Sequence, residues 1–284
     1  MTTVVPHKYM AGELSDEERA ATFAARGELL DYLVGQMRSQ IGCGTLKSFL
    51  LTGPRGAGKT TLVHMLRQRI QADPELAAAW LPLVLPEEQT GVSSLRDLLV
   101  LILEHLGPVG EPEATAWWQR AEDEADDELS RAIAEDGLRT LAGRQGRRFV
   151  VVLENLVSLF ERALRDGGQS TLRRLLMHEP FMLLVGTAVR TFDDLEQYDR
   201  AFWKYIEPLR LEPLSDDEVH TLLTRRAEYD GNAEFLQRYH MRRPMVRTLR
   251  YLTGGNPRLL MLLYEVVSLR QLDAPLRLMR RLVD

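Results

Sequence analysis

The amino-acid sequence predicts a doubly wound α/β fold, in which a parallel five-stranded sheet is followed by a small all-helical domain. Short apolar runs of the strand type recur along the first three quarters of the chain, and longer helical patterns separate them. A strand, a long crossover and another strand form the order that a parallel sheet requires. After Pro213 the pattern changes to helices alone, so we expect a boundary near that residue.

Five apolar runs are the candidates for the strands of this sheet. The runs KSFLLT, FVVVL and MLLV are continuous rather than alternating, as expected for parallel strands that are covered on both faces. The five candidate strands are residues 47–52, 80–85, 149–153, 182–185 and 205–211. Between them the sequence predicts helices over residues 60–72, 93–106, 115–141 and 157–176.

The domain organisation follows from the same change of pattern. We expect an N-terminal linker over residues 1–20, an α/β core over residues 21–213 and a helical domain over residues 214–284. Ser215, three residues before Glu218, is a capping signal for the first helix of the last domain, and Gly254-Gly255 predicts a break between two later helices.

The composition excludes several classes of protein. The chain has 284 residues and one cysteine, Cys43, so an intrachain disulfide is impossible. Its longest apolar stretches fall short of the roughly 18 residues that a transmembrane helix needs. A net charge of −5 argues against a protein that coats nucleic acid. We therefore expect a cytoplasmic protein that does not cross a membrane.

Charge is distributed unevenly along the chain. Residues 111–136 contain ten acidic residues and two arginines, whereas residues 238–284 contain ten arginines and three acidic residues. The acidic run is most simply a solvated surface. The arginines of the basic segment could neutralise the phosphates of duplex DNA, or they could form a solvated helix face or a contact with an acidic surface. Five of them lie within 13 residues: Arg238, Arg242, Arg243, Arg247 and Arg250.

The strongest local signal is a full G-x-x-x-x-G-K-[ST] motif, which follows the first apolar run and opens a helical pattern. Glycines let successive backbone N–H groups point at phosphate oxygens, and the helix start adds its positive dipole end. The lysine is a compact cation for the β- and γ-phosphates, and the threonine offers a hydroxyl to Mg²⁺. The motif consists of Gly53, Pro54, Arg55, Gly56, Ala57, Gly58, Lys59 and Thr60, and Thr61 follows it.

A second acidic motif follows the third apolar run. In P-loop ATPases a second buried strand ends in an acid that orients Mg²⁺. Here Glu154 occupies that position, and Asn155 falls where many such enzymes carry the glutamate that activates water. An amide cannot take a proton and can only orient water by hydrogen bonds. The residues therefore predict binding of ATP or ADP with Mg²⁺, and slow hydrolysis.

With these two motifs the chain resembles the AAA+ ATPases over roughly residues 20–270. Within them it is most similar to the origin-recognition and replication-licensing group and to the related STAND-type ATPases. The segment FAARGE resembles the F-x-x-R-x-E segment that contacts adenine in these families, which implies that Phe23 and Arg26 lie at the base.

The same resemblance implies roles for three further polar residues. Thr187, after the fourth apolar run, matches sensor 1, which faces the γ-phosphate and the attacking water. Arg200 matches the arginine finger that one subunit supplies to its neighbour, with Arg190 as the competing candidate. Arg258 in TGGNPRLL matches sensor 2 of the lid, where a cation at a helix start opposes the helix dipole but can reach phosphate.

The resemblance implies a homo-oligomer with the ATP site at the subunit interface, acting on DNA through residues 238–258 or on a DNA-associated protein partner. A second hypothesis is a STAND-like signalling switch, including those of defence-type systems, and Asn155 favours it. A third is a transposition-regulator ATPase that forms filaments on DNA. Relatives often continue into a winged-helix DNA-binding domain, so the resemblance implies that such a domain can follow the lid.

Overall fold

The computed structural model describes residues 14–86, 91–109, 111–162, 164, 167–190, 205–240 and 244–269. Within them five strands form one parallel sheet in the order β2-β3-β4-β1-β5. The strands are β1 (Ser48–Thr52), β2 (Trp80–Val84), β3 (Arg148–Leu153), β4 (Met182–Ala188) and β5 (Ile206–Arg210). The predicted fold class is confirmed, and each predicted strand is present with its ends shifted by a few residues.

Burial along the strands follows their positions in the sheet. All residues of β1 and of β4 are buried, as expected for inner strands that are covered on both faces. In the edge strand β5 only Ile206 is buried, and the next four positions alternate between half-buried and exposed. Pro208 lies in this strand, where the missing N–H costs least because one side of the strand is unpaired.

Helices connect the strands. The helices up to residue 106 are α1 (Asp16–Thr22), α2 (Gly27–Ser39), α3 (Lys59–Ala72), α4 (Pro74–Ala79) and α5 (Leu95–Leu106). The later helices are α6 (Ala114–Glu122), α7 (Asp127–Gln145), α8 (Leu156–Arg162), α9 (Gly168–His178), α10 (Asp216–Tyr229), α11 (Ala233–His240), α12 (Pro244–Thr253) and α13 (Pro257–Leu269). None of the helices in these described ranges is long and apolar enough to cross a membrane.

Two of the predicted helices are each divided in the structure. The helix expected over residues 115–141 is α6 and α7, because Asp126 caps a new helix by accepting hydrogen bonds from the N–H groups of Glu128 and Leu129. The helix expected over residues 157–176 is α8 and α9. Gly167, at φ of 95°, directly precedes α9. Such breaks cannot be predicted from apolar periodicity, because the apolar residues of both pieces recur at the same helical spacing.

Local ion pairs neutralise part of the acidic run in residues 111–136. Arg147 pairs with the buried Glu111 at 2.9 Å, and Arg96 lies 3.3 Å from Glu122. Arg131, which belongs to the run itself, pairs with Glu135 at 2.5 Å. The excess of acid in the sequence therefore overstates the field at this surface.

Contacts divide the chain into two compact units. One contains residues 30–53 and 66–210, and therefore the whole sheet. Its core is formed by leucine and valine side chains of β3, β4 and α5, with further apolar residues from α7, α8 and α9.

The other unit contains the N-terminal segment up to Leu29, residues 54–65 and the chain from Leu211 onward. Helices α10 to α13 enclose a second apolar core, in which Phe235 meets Tyr264 edge to face at 4.9 Å. The predicted capping box is present: Ser215 and Glu218 each accept a hydrogen bond from the other's backbone N–H. The predicted domain boundaries at residues 20 and 213 stay a prediction.

Candidate functional site

The backbone between β1 and α3 requires glycine at three positions. Gly53, Gly56 and Gly58 have φ values of 151°, 80° and 93°, which residues with a Cβ atom rarely adopt. The N–H of Ala57 donates to the oxygen of Pro54 at 3.1 Å and closes a tight turn. The helix α3 begins directly afterwards. A glycine turn that leads into a helix start is the arrangement that binds phosphate through backbone N–H groups.

Positive charge is concentrated at the start of α3. Lys59 is the first residue of the helix, and its Nζ donates to the oxygen of Pro54 at 3.0 Å. Thr60 and Thr61 follow it, and the first turn contains no acidic residue. Acidic side chains are favoured at most helix starts, so their absence leaves the dipole and the lysine available to an anion. These residues fit a phosphate chain.

The second acidic motif lies at the end of β3. Glu154 directly follows the strand and is only 9% exposed, whereas Asn155 is exposed. Asn155 has φ of 55°, in the left-handed region that asparagine tolerates better than most residues. Asn155 therefore lies where the chain turns sharply from β3 to α8. A carboxylate oxygen at this edge is a ligand that Mg²⁺ prefers.

Thr187 lies beside this turn. It is buried, at 2% exposed, within β4, whose register places it opposite Leu51 of β1. Its Oγ1 accepts a hydrogen bond from the backbone N–H of Asn155 at 3.3 Å. The structure thus brings Glu154, Asn155 and Thr187 together at the carboxyl end of two neighbouring strands, where α/β sheets bind their ligands.

The lid turn, which comprises residues 254–258 at the start of α13, contacts the phosphate loop (residues 53–58) directly. The N–H of Arg258 donates to the oxygen of Gly56 at 3.3 Å. A Cβ atom built on Gly56 would lie 2.7 Å from Cβ of Arg258 and 2.7 Å from Oδ1 of Asn256. Arg258 is exposed, and the first turn of its helix contains no acidic residue. The predicted sensor 2 arginine therefore lies beside the loop.

The described N-terminal segment is held by hydrogen bonds to later residues of its own compact unit, which we call the helical unit because it contains α10 to α13. The oxygen of Phe23 accepts a hydrogen bond from Arg225, and Arg26 donates to the oxygen of Glu212. Arg26 has φ of 73°, in the left-handed region. Burial lowers the pKa of Arg26 from its ordinary value, against the opposing effect of the nearby Glu218 and Glu212. Sequence reasoning missed these hydrogen bonds from arginine side chains to backbone carbonyls, because no motif marks them.

The predicted arginine finger and the predicted basic segment lie partly outside the described residues. Arg200 lies outside the described residues, and Arg190 is exposed just after β4. Of the basic segment, Arg242 and Arg243 also lie outside the described residues, as does the side chain of Arg238. Arg247 and Arg250 lie 3.5 Å and 3.7 Å from the same carboxylate, that of Asp216, although the side chain of Arg247 remains 86% exposed.

A parallel sheet whose β1 ends in a glycine loop and a lysine-first helix defines a P-loop nucleotide-binding protein. The chain belongs to the AAA ATPase domain family, whose profile matches residues 22–213. The predicted family is thereby confirmed. A comparison with curated proteins gives no match.

The fold is similar to those of solved origin-recognition proteins. The Aeropyrum pernix ORC1 protein in complex with DNA has a TM-score of 0.58 at 18% identity, covering 89% of this chain and 65% of that one. The A. pernix ORC2 protein in its ADPNP–ADP complexes has a TM-score of 0.54 at 17% identity, covering 72% of this chain and 52% of that one. Drosophila ORC bound to DNA has a TM-score of 0.54 at 14% identity, covering 89% of this chain and 63% of that one. The chain therefore spans about half to two thirds of the proteins it matches.

Proposed function

We propose that this chain is an ATPase that binds ATP or ADP with Mg²⁺, hydrolyses ATP slowly, and assembles with nucleotide into a homo-oligomer that acts on DNA or on a DNA-associated partner. The observation that carries the proposal is the glycine loop held between β1 and α3, with Lys59 at the helix start. Membership of the AAA ATPase domain family supports it.

Each residue of the loop has a chemical role in this proposal. Backbone N–H groups of the glycine loop and of the first turn of α3 bind the phosphates, and Lys59 contributes a charge-assisted hydrogen bond to them. Phe23 and Arg26 would lie at the adenine. Thr60 and Glu154 would supply the protein oxygens for Mg²⁺, which when bound neutralises charge on the β- and γ-phosphates.

Slow hydrolysis is proposed from the residue type after β3. Asn155 can orient the attacking water but cannot take its proton. The buried Thr187 holds the backbone of Asn155 and would stand near the γ-phosphate as sensor 1. General-base assistance contributes about 10²–10⁴-fold in enzymes that use it. We therefore expect a turnover number well below the enzyme median of about 10 s⁻¹.

Action on DNA is supported by fold similarity and by surface charge. Two of the similar structures, A. pernix ORC1 and Drosophila ORC, are described with DNA. Arg247 and Arg258 are exposed on the helical unit. Asp216 lies close to both Arg247 and Arg250 and therefore offsets part of their charge. Because this surface is not strongly basic, we expect its binding to DNA to be weak and salt-dependent.

Sizing by light scattering tests the assembly and the DNA partner together. The protein is measured without nucleotide, with ADP and with a non-hydrolysable ATP analogue, each with and without duplex DNA. We expect a larger particle with the ATP analogue alone, and a further increase with DNA at low salt. A particle of one size in all six samples would contradict both proposed properties.

Arg200→Ala tests the site between subunits. If Arg200 reaches the γ-phosphate bound by the neighbouring subunit, the variant keeps its affinity for ATP but loses ATP-dependent assembly and turnover. Arg190→Ala is the matched control, since both arginines lie between β4 and β5 in the chain. Loss of assembly in Arg190→Ala alone would assign the arginine finger to Arg190. Full assembly in both variants would exclude both residues as the arginine finger.

A nucleotide-dependent signalling switch is the second candidate function, and Asn155 favours it. A switch holds nucleotide for long periods and changes its assembly when a stimulus arrives. Isolation of the protein with ADP or ATP already bound, together with no response of its size to DNA, would favour the switch over the DNA-associated function.

A further inference from the structure

The turn between α12 and α13 is fixed by two glycines. Gly254 and Gly255 have φ values of 58° and 68°. The oxygen of Gly255 accepts a hydrogen bond from the N–H of Leu214 at 3.0 Å. A Cβ atom on Gly255 would lie 2.8 Å from both the nitrogen and the oxygen of Leu214, so only glycine fits there. The residue that follows this turn, Asn256, therefore starts from a well-defined backbone position.

The side chain of Asn256 makes hydrogen bonds at both ends of its amide. Its Oδ1 accepts from the N–H groups of Arg258 and Leu259 at 3.0 Å and 3.3 Å, which caps α13. Capping orients the amide and directs its Nδ2 toward the phosphate loop. There Nδ2 donates to the oxygen of Arg55 at 2.8 Å. An N-cap whose other end bonds a loop carbonyl does more than cap a helix.

A hydrogen bond to the oxygen of Arg55 orients a peptide group of the phosphate loop. In a planar trans peptide the C=O and the N–H point in opposite directions. Holding the oxygen of Arg55 on the lid side therefore directs the N–H of Gly56 to the opposite side. The next carbonyl, that of Gly56, accepts from the N–H of Arg258 at 3.3 Å. The lid turn thus holds two consecutive peptide groups of the loop.

We propose that Asn256 is a positioning residue for phosphate binding: its amide holds the Arg55–Gly56 peptide in the orientation that presents the Gly56 N–H to the phosphates of a nucleotide. This inference rests on the proposed binding of nucleotide at the phosphate loop. The same bond joins the loop to the first residue before α13, so a nucleotide that orders the loop also stabilises this position of the lid turn.

Asn256→Ser tests the role, with Asn232→Ser as the matched control. Serine retains an N-cap acceptor but lacks the amide donor that reaches Arg55, and it changes no charge. Asn232 is also an N-cap asparagine, since its Oδ1 accepts from the N–H of Phe235 at 3.0 Å at the start of α11. Both variants therefore alter one cap in the helical unit, and only Asn256→Ser removes the bond to Arg55.

We expect Asn256→Ser to weaken binding of ADP and of a non-hydrolysable ATP analogue by about threefold to tenfold, the size of one net hydrogen bond. The KM for ATP rises with kcat unchanged, because the peptide is oriented equally in the ground state and the transition state. Without nucleotide both variants remain folded, which thermal denaturation checks. If Asn256→Ser does not fold, Asn256→Thr, compared with Asn232→Thr, also retains an N-cap acceptor without changing the charge and gives the same measurement.

Equal nucleotide affinity in Asn256→Ser and Asn232→Ser would overturn this inference. If Lys59→Ala has then lost nucleotide, binding at the phosphate loop stands and only the role of Asn256 is wrong. If the wild-type protein binds no nucleotide, the proposed function and this inference both fail.

Discussion

Lys59→Ala is expected to abolish ATP binding at concentrations that saturate the wild-type protein, while the protein remains folded. Lys59 is the first residue of α3, whose first turn contains no acidic residue, and its ammonium group donates a hydrogen bond to the oxygen of Pro54 in the loop. Truncation of one partner of a desolvated, hydrogen-bonded charge pair costs about 2–5 kcal/mol, and each 1.4 kcal/mol is tenfold in affinity. Titration calorimetry with ATP and Mg²⁺ measures the loss.

Lys47→Ala is the matched control for this variant. Lys47 immediately precedes β1, whereas Lys59 follows the loop at the other end of that strand, and Lys47 pairs with Glu207 at 2.5 Å. Both variants remove one lysine from a chain that has four. We expect Lys47→Ala to bind ATP as the wild type does. Wild-type affinity in Lys59→Ala, or equal losses in both variants, would contradict the assignment of the loop.

The sheet could be predicted from the sequence because its inner strands are covered on both faces. Such strands are continuous apolar runs, and in β1 and β4 every position is indeed buried. The order of the strands could not be read in this way, since apolar runs carry no information on which strand neighbours which. The division of the helix expected over residues 115–141 was also missed, because Asp126 caps α7 inside an apolar pattern that continues on both sides.

The phosphate loop could be predicted because the glycines, lysine and threonine that bind phosphate and Mg²⁺ are adjacent in the sequence at a fixed spacing. The role proposed for Asn256 could not, although the Asn-Pro pair after two glycines marks a turn and a helix start. Its bond to Arg55 joins residues 201 positions apart in the chain, and only the fold brings them together. The same holds for Arg26, whose partner Glu212 is 186 residues away.

Replacing Asn155 by an acid is expected to raise the rate of ATP hydrolysis by at least about tenfold, a part of the 10²–10⁴-fold that a general base contributes elsewhere. Asn155→Asp is the sharper variant. Aspartate has the shape of asparagine and tolerates the left-handed backbone at φ of 55°, and its carboxylate can accept a proton from a water that the amide only orients. Single-turnover hydrolysis with saturating Mg²⁺ measures the rate.

Asn155→Glu supplies a longer base and is also expected to exceed the wild-type rate. It places a residue with less tolerance of this backbone at the turn, so we expect its free energy of unfolding to fall by about 1 kcal/mol, which urea denaturation measures.

Asn155→Gly separates the conformation of this turn from its chemistry. Glycine keeps the left-handed backbone and the N–H that donates to Thr187, but it removes the side-chain amide, so we expect hydrolysis at or below the wild-type rate.

Glu154→Gln is expected instead to weaken Mg²⁺-dependent nucleotide binding and turnover together, because it removes the carboxylate that Mg²⁺ prefers. Fast hydrolysis by the wild type, at many turnovers per second, would mean that another acid serves as the base. An Asn155→Asp variant slower than Asn155→Gly would exclude this turn as the place where a base can act.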